Sequence, residues 1–125
     1  MAILIVDDDE LNRKILEEIL EDASYVTISA EDGVQAMEQM KANAADIELV
    51  LLDRMMPNMD GMQVMEEMKK HDNLQGIPVI MQTAASAPKD VIEGAGTGVY
   101  YYLTKPYDEQ IVLSIVRAAL DEAKK

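Results

Sequence analysis

Ala2-Ile3-Leu4-Ile5-Val6-Asp7-Asp8-Asp9 opens the chain with five apolar residues that give way abruptly to three acids. A strand covered on both faces reads as such an unbroken apolar run, whereas a half-exposed strand alternates. Residues 47–52, apolar except for Glu48, follow the same pattern and again end on an acid, Asp53. Between the two runs the period lengthens. Asp9 is placed to cap a helix in which Leu11, Ile15, Leu16, Ile19 and Leu20 form an apolar stripe. Residues 25–29 are short and β-branched, and Asp32 can cap a second helix with Val34, Met37 and Met40 on one side. After a turn at 57–61, Met62, Met65 and Met68 recur at threefold spacing on a third helix, where methionines at such spacing are core residues. A fourth strand at 77–81 follows Gly76. A weak helix at 88–95, a strand at 99–103 and a closing helix from Asp108 to about Glu122 complete five strand–helix units. This alternation predicts an α/β fold, a doubly wound parallel sheet covered by helices above and below. In such folds the site lies beyond the carboxyl ends of the strands, where strand order reverses.

The 125 residues fit one domain, 1–125, and 49% hydrophobic content is enough to bury a core. Cysteine is absent and His71 is the single histidine, which excludes disulfides, thiolate metal sites and a zinc site built from imidazoles. No run of 18 apolar residues occurs, and the apolar start is cut off by acids, so neither a membrane span nor a signal peptide is expected. A soluble, cytoplasmic protein is the expectation. The formal charge of −13 argues against direct contact with nucleic acid, which needs clustered Lys and Arg, and permits partners with basic surfaces.

Asp7, Asp8 and Asp9 follow the first strand, Asp53 the third, Thr83 the fourth and Lys105 the fifth. All fall at one edge of the predicted sheet. Singly, each has a plainer reading: an Asp at a strand end is commonly a helix cap, as Asp9 is expected to be, and a lone Lys usually sits in solvent. Jointly, four carboxylates converging at one edge repel unless a cation intervenes. Lys105 supplies one positive charge, and Mg²⁺ is the natural second, being hard and commonly held by one or two carboxylates, water and a phosphate oxygen.

The segments Ile3-Leu-Ile-Val-Asp-Asp-Asp9, Leu51-Leu-Asp-Arg-Met-Met-Pro-Asn-Met-Asp-Gly61, Pro78-Val-Ile-Met-Gln-Thr-Ala84 and Tyr102-Leu-Thr-Lys-Pro106 resemble the four signatures of the response-regulator receiver family, in the right order and over nearly the entire chain. The resemblance implies a flavodoxin-like doubly wound (βα)5 sandwich with strand order 2-1-3-4-5. It implies Asp53, Thr83 and Lys105 as the catalytic set: Asp53 takes a phosphoryl group from a kinase histidine, the Thr83 hydroxyl bonds one phosphoryl oxygen, and the Lys105 amine pairs with another. Asp8 would be the direct Mg²⁺ ligand, Asp7 would act through a metal-bound water, Asp53 would be a further ligand, and Met55 would offer its backbone carbonyl. Pro106 makes a cis peptide feasible, which would aim Lys105 inward. On this reading the domain is no conventional enzyme but a signalling phosphoacceptor that catalyses its own phosphoryl transfer and slow autodephosphorylation.

Phosphorylation adds a charge near −2 and three strong acceptor oxygens. By the resemblance, Thr83 is drawn toward them and Tyr102 turns into the space it leaves, altering the surface of the fourth helix, fifth strand and fifth helix. That surface would meet an output protein or domain, or a second copy in a homodimer, while a histidine kinase or phosphotransfer protein would supply the phosphoryl group. Gly94, Gly96 and Gly98 predict a short, frayed fourth helix. Tyr100 and Tyr101 stand where the family often carries acids, and either pack in the strand or form a partner surface. Met55 and Ala85, two residues after Asp53 and Thr83, cannot position a water, so a long-lived phosphoryl-aspartate is expected.

Two other functions compete. A phosphatase of the haloacid-dehalogenase type would use Asp7 as nucleophile and Asp9 as partner, but Leu11 replaces its expected Thr or Val, and Asp53 would have no task. A receiver-like module that binds partners without phosphorylation is disfavoured because every chemistry-bearing position is filled.

Overall fold

Side chains alternate across a strand, so a run with no polar residue must serve two cores at once. In the computed structural model, which describes residues 1–54, 56, 58–83, 101–104 and 108–123, this is what β1 (Ala2–Val6) does. Ile3 and Ile5 enter one apolar cluster, Leu4 and Val6 the other. The longest strand, β3 (Ile47–Asp53), divides the same way, Leu49 and Leu51 against Val50 and Leu52. Each of these residues is fully buried, and each such burial stabilises the fold by about 1.5–3 kcal/mol before entropy is subtracted.

Around these two strands lie β2 (Val26–Ala30), β4 (Val79–Thr83) and β5 (Tyr101–Thr104). All pairings are parallel and the order is β2-β1-β3-β4-β5, as the resemblance implied. The described helices are α1 (Glu10–Asp22), α2 (Gly33–Asn43), α3 (Gly61–Lys69) and α4 (Glu109–Ala123), the last being the predicted closing helix. Leu16 and Leu20 of α1 join Val112, Val116, Ala119 and Leu120 of α4 on one face of the sheet. Met37, Met40, Val64, Met65 and Met68 of α2 and α3 cover the other. The predicted helix at 88–95, with Gly94, Gly96 and Gly98, lies outside the described residues, as do Tyr100, Ala85 and Pro106.

Three local expectations change. The α1 stripe narrows to Leu16, Ile19 and Leu20, with Ile19 half-buried, while Leu11 is 68% and Ile15 37% exposed. Leu11 precedes Leu16 by five residues, which turns it roughly 140° around the helix, off the sheet. On α2, Val34 points outward and the buried line is Gly33, Ala36, Met37 and Met40. The fourth strand begins two residues later than predicted. Ile77 donates its N–H to the carbonyl of Leu74 in the preceding turn, and Pro78 has no N–H to give a ladder. Among the described residues, no helix is long and apolar enough to cross a membrane.

Candidate functional site

Strand register fixes where the acids emerge. Val6 is level with Leu52, so Asp7 and Asp53 are the next residues along two neighbouring strands. This is also where strand order reverses: β2 lies on one side of β1, and β3, β4 and β5 on the other. Asp7 continues the line of β1 by donating its N–H to the carbonyl of Ala30 at 3.2 Å. Asp53, the last residue of β3, is level with Gln82 of β4.

Asp7, Asp8 and Asp53 converge. Each can present a carboxylate oxygen such that the three atoms lie within 4.8 Å of one another. Asp7 and Asp53 are buried and Asp8 is exposed, so the cluster has a closed floor and an open rim. Three carboxylates at this spacing repel, and burial of two of them reduces the screening that water would provide. The donor set, hard carboxylate oxygens with one side open to solvent, fits a divalent cation that keeps some of its water.

Local structure holds Asp7 and Asp9 in place and shapes the turn after Asp53. Asp9 caps α1, its Oδ1 accepting from the backbone N–H of Leu11 at 2.9 Å and of Asn12 at 3.2 Å, as predicted. Its own N–H donates to Asp7 Oδ1 at 2.9 Å, tying the cap to the buried acid. That commitment leaves Asp9 poorly placed for the dehalogenase-type role. The chain after Asp53 folds back sharply, with Gly61 N–H donating to the carbonyl of Arg54 at 2.9 Å. A Cβ at Gly61 would lie 2.7 Å from the carbonyl oxygen of Asp53 and 2.9 Å from Arg54 Cα, so the return passes too close for any side chain. Asp60 caps α3 in a reciprocal box with Gln63.

Of the other predicted site residues, Thr83 ends β4 level with Thr104 of β5, at the same edge as the acids, and its hydroxyl is not among the described atoms. Tyr102 is half-buried against the α2–α3 cluster, while its neighbour Tyr101 is 47% exposed. Lys105 and Met55 lie outside the described residues. Sequence reasoning missed Arg13, whose Nη1 donates to the backbone carbonyl of Asp7 at 2.6 Å. Nothing in its spacing sets it apart from the solvated Lys14 beside it. Asn58 was also missed. It adopts a left-handed φ of 68°, and Asn in a loop is a signal for that conformation.

Comparison with known proteins bears on this site. Residues 3–117 match the family model for the response regulator receiver domain. The chain is 38% identical over 116 residues to the response regulator PleD of Caulobacter vibrioides, covering 93% of this chain and 25% of PleD. It is 33% identical over 113 residues to the chemotaxis protein CheY1 of Helicobacter pylori, covering 90% of each. Among solved structures, it superposes with a TM-score of 0.88 on the signal receiver domain of a signal transduction histidine kinase from Syntrophus aciditrophicus, at 31% identity and covering 99% of this chain and 92% of that one. It spans about half the length of several other curated relatives.

These matches correct one expectation, that the chain catalyses its own phosphoryl transfer and slow autodephosphorylation. They are to receiver domains, which are signalling phosphoacceptors, and they do not point to a classical enzyme. Of the residues on which self-catalysis and slow loss rested, Lys105, Met55 and Ala85 are outside the described part. The sheet order, the carboxylates at its switch point and the match over residues 3–117 lead to one conclusion: the chain belongs to the response-regulator receiver family of two-component signalling.

Proposed function

We propose that Asp53 accepts a phosphoryl group from the histidine of a kinase or phosphotransfer protein, in a reaction that depends on Mg²⁺ held by Asp7, Asp8 and Asp53. The observation that carries this reading is the approach of those three carboxylates to within 4.8 Å, two of them buried. A carboxylate oxygen of Asp53 forms the new bond to phosphorus, the bond from phosphorus to the donor imidazole nitrogen breaks, and that nitrogen is left to take up a proton from solvent. A bound Mg²⁺ supplies the positive charge that three acids and an incoming phosphoryl group require. Asp7, buried and anchored at both its N–H and its carbonyl, acts as the fixed wall of the pocket. Asp8 at the rim leaves the approach open. Thr83 and Lys105 receive the phosphoryl oxygens, and the backbone of Met55 completes the ligand set.

The added charge then draws Thr83 inward, and Tyr102 follows toward the α2–α3 side of β5. The surface changed is that of the segment before β5, β5 itself and α4, which contacts a downstream output protein or domain, or a second copy of the chain. The partially exposed Tyr102 and the exposed Tyr101, on adjacent positions of one edge strand, support that assignment.

The test is intact-mass measurement after incubation with a phosphorylated histidine phosphotransfer protein and Mg²⁺. One added phosphoryl group per chain is expected, absent without Mg²⁺ and absent in Asp53→Asn. Unchanged labelling of Asp53→Asn, or a group mapped to Asp7, would overturn the assignment.

A further inference from the structure

The four residues Ala30-Glu31-Asp32-Gly33, joining β2 to α2, carry none of the three clustered acids, yet they touch both loops that do. The carbonyl of Ala30 accepts the N–H of Asp7. Glu31 lies 3.8 Å from Nη2 of Arg13, the guanidinium whose other nitrogen holds the Asp7 carbonyl at 2.6 Å. On the opposite side, Asn58 of the loop after Asp53 donates its amide to Asp32 Oδ2 at 3.0 Å, across 26 residues of sequence. Gly33 packs so closely on Met59 that a Cβ there would run into the Met59 carbonyl and stand 2.7 Å from Met59 Cβ.

Asp32 serves both ends of this arrangement. One carboxylate oxygen caps α2 through the N–H of Gln35 at 2.8 Å, and the other takes the Asn58 amide. Asn58 is the residue with φ of 68°, a left-handed conformation that Asn adopts more readily than most residues. The loop is therefore fastened twice: at its base by Gly61 on Arg54, and at its tip by Asn58 on Asp32.

We infer that the β2–α2 turn is a positioning device for the acid pocket, with Asp32 and Asn58 forming the clasp that sets the loop after Asp53 against the loop bearing Asp7 and Asp8. The inference rests on the cation-binding part of the function proposed above. Groups that orient ligands without touching the metal typically alter its affinity 10–100-fold when removed. The clasp is expected to act in that range while leaving the fold intact.

A set of three variants separates positioning from mere stability, each titrated with Mg²⁺ alone by calorimetry and checked by urea unfolding. Asp32→Ser keeps an α2 cap but is too short to reach Asn58. Asp32→Asn keeps the cap and, with the Asn58 amide reversed, keeps the clasp, and it loses the same charge as Asp32→Ser. Asn58→Gly removes the amide while relaxing the left-handed φ. The expected result is about tenfold weaker Mg²⁺ binding for Asp32→Ser and Asn58→Gly, with Asp32→Asn within about threefold of the parent. Should one of the weakened pair fail to fold, the other carries the comparison. Equal affinity across all three variants and the parent would overturn the clasp and leave the pocket standing. No Mg²⁺ binding by the parent chain would overturn the pocket itself, and the clasp with it.

Discussion

A side chain at Gly61 has nowhere to go, because the chain must turn back within contact of Asp53 to start α3. Two of the three atoms a Cβ would meet are backbone, which cannot swing away. Gly61→Ala is expected to cost about 1–3 kcal/mol, as overpacking does, and to weaken Mg²⁺ binding, both readable in one urea series with and without the ion. On α1 the contrast between neighbours is testable in the same way. Leu16→Ala should cost about 2–5 kcal/mol, since Leu16 is fully buried. Leu11→Ala should stay within about 0.5 kcal/mol of the parent, since Leu11 is 68% exposed. At this scale the acids were legible, because a run of Asp after an apolar strand has few structural uses. Arg13 and Asn58 were not, because their partners are 6 and 26 residues away and ordinary helix and loop chemistry accounts for both residue types.

Helix caps decide where the elements begin, and three of them flank the site. Asp9, Asp32 and Asp60 each accept from the first turn of the helix they precede. Asp9→Ala should cost about 1 kcal/mol through α1, measured by thermal unfolding. Asp32 adds a pH dependence. The N–H of Gln35 first, and the Asn58 amide second, hold its carboxyl below the usual carboxylate range. A depressed folded pKa means the contribution is fully present above the unfolded value, about 3.9, and is lost as pH falls through the lower folded value. The stability difference between the parent and Asp32→Ala should therefore be constant from neutral pH down to about 3.9 and shrink as pH falls from there through the lower folded value. A difference that grows on acidification would contradict the clasp geometry. The capping Asp9 and Asp32 could be read in advance because a cap is local, set within three residues. The start of β4 could not, because it depends on a turn that uses the N–H of Ile77 and on Pro78 lacking one.

Across the whole molecule, five parallel strands bring residues far apart in sequence to one edge, and two of those strands deliver the carboxylates. The alternation of apolar runs with helical periods was enough to predict the sheet. The strand order came from the family resemblance, since periodicity alone says nothing about which strand neighbours which. The cost of the arrangement is electrostatic: a chain of net charge −13 gathers three acids in one pocket, two of them shielded from water. The central claim is the one proposed above, that a divalent cation held by these three acids offsets their mutual repulsion. Asp8 is the acid to neutralise, because it is exposed and its replacement disturbs no packing. The decisive measurement is the unfolding free energy of the parent and Asp8→Asn, each with and without Mg²⁺. Without the ion, Asp8→Asn should be more stable on the order of 1 kcal/mol, and Mg²⁺ should stabilise the parent clearly more than the variant. A variant no more stable than the parent in the absence of Mg²⁺, with the same gain on adding it, would contradict the account.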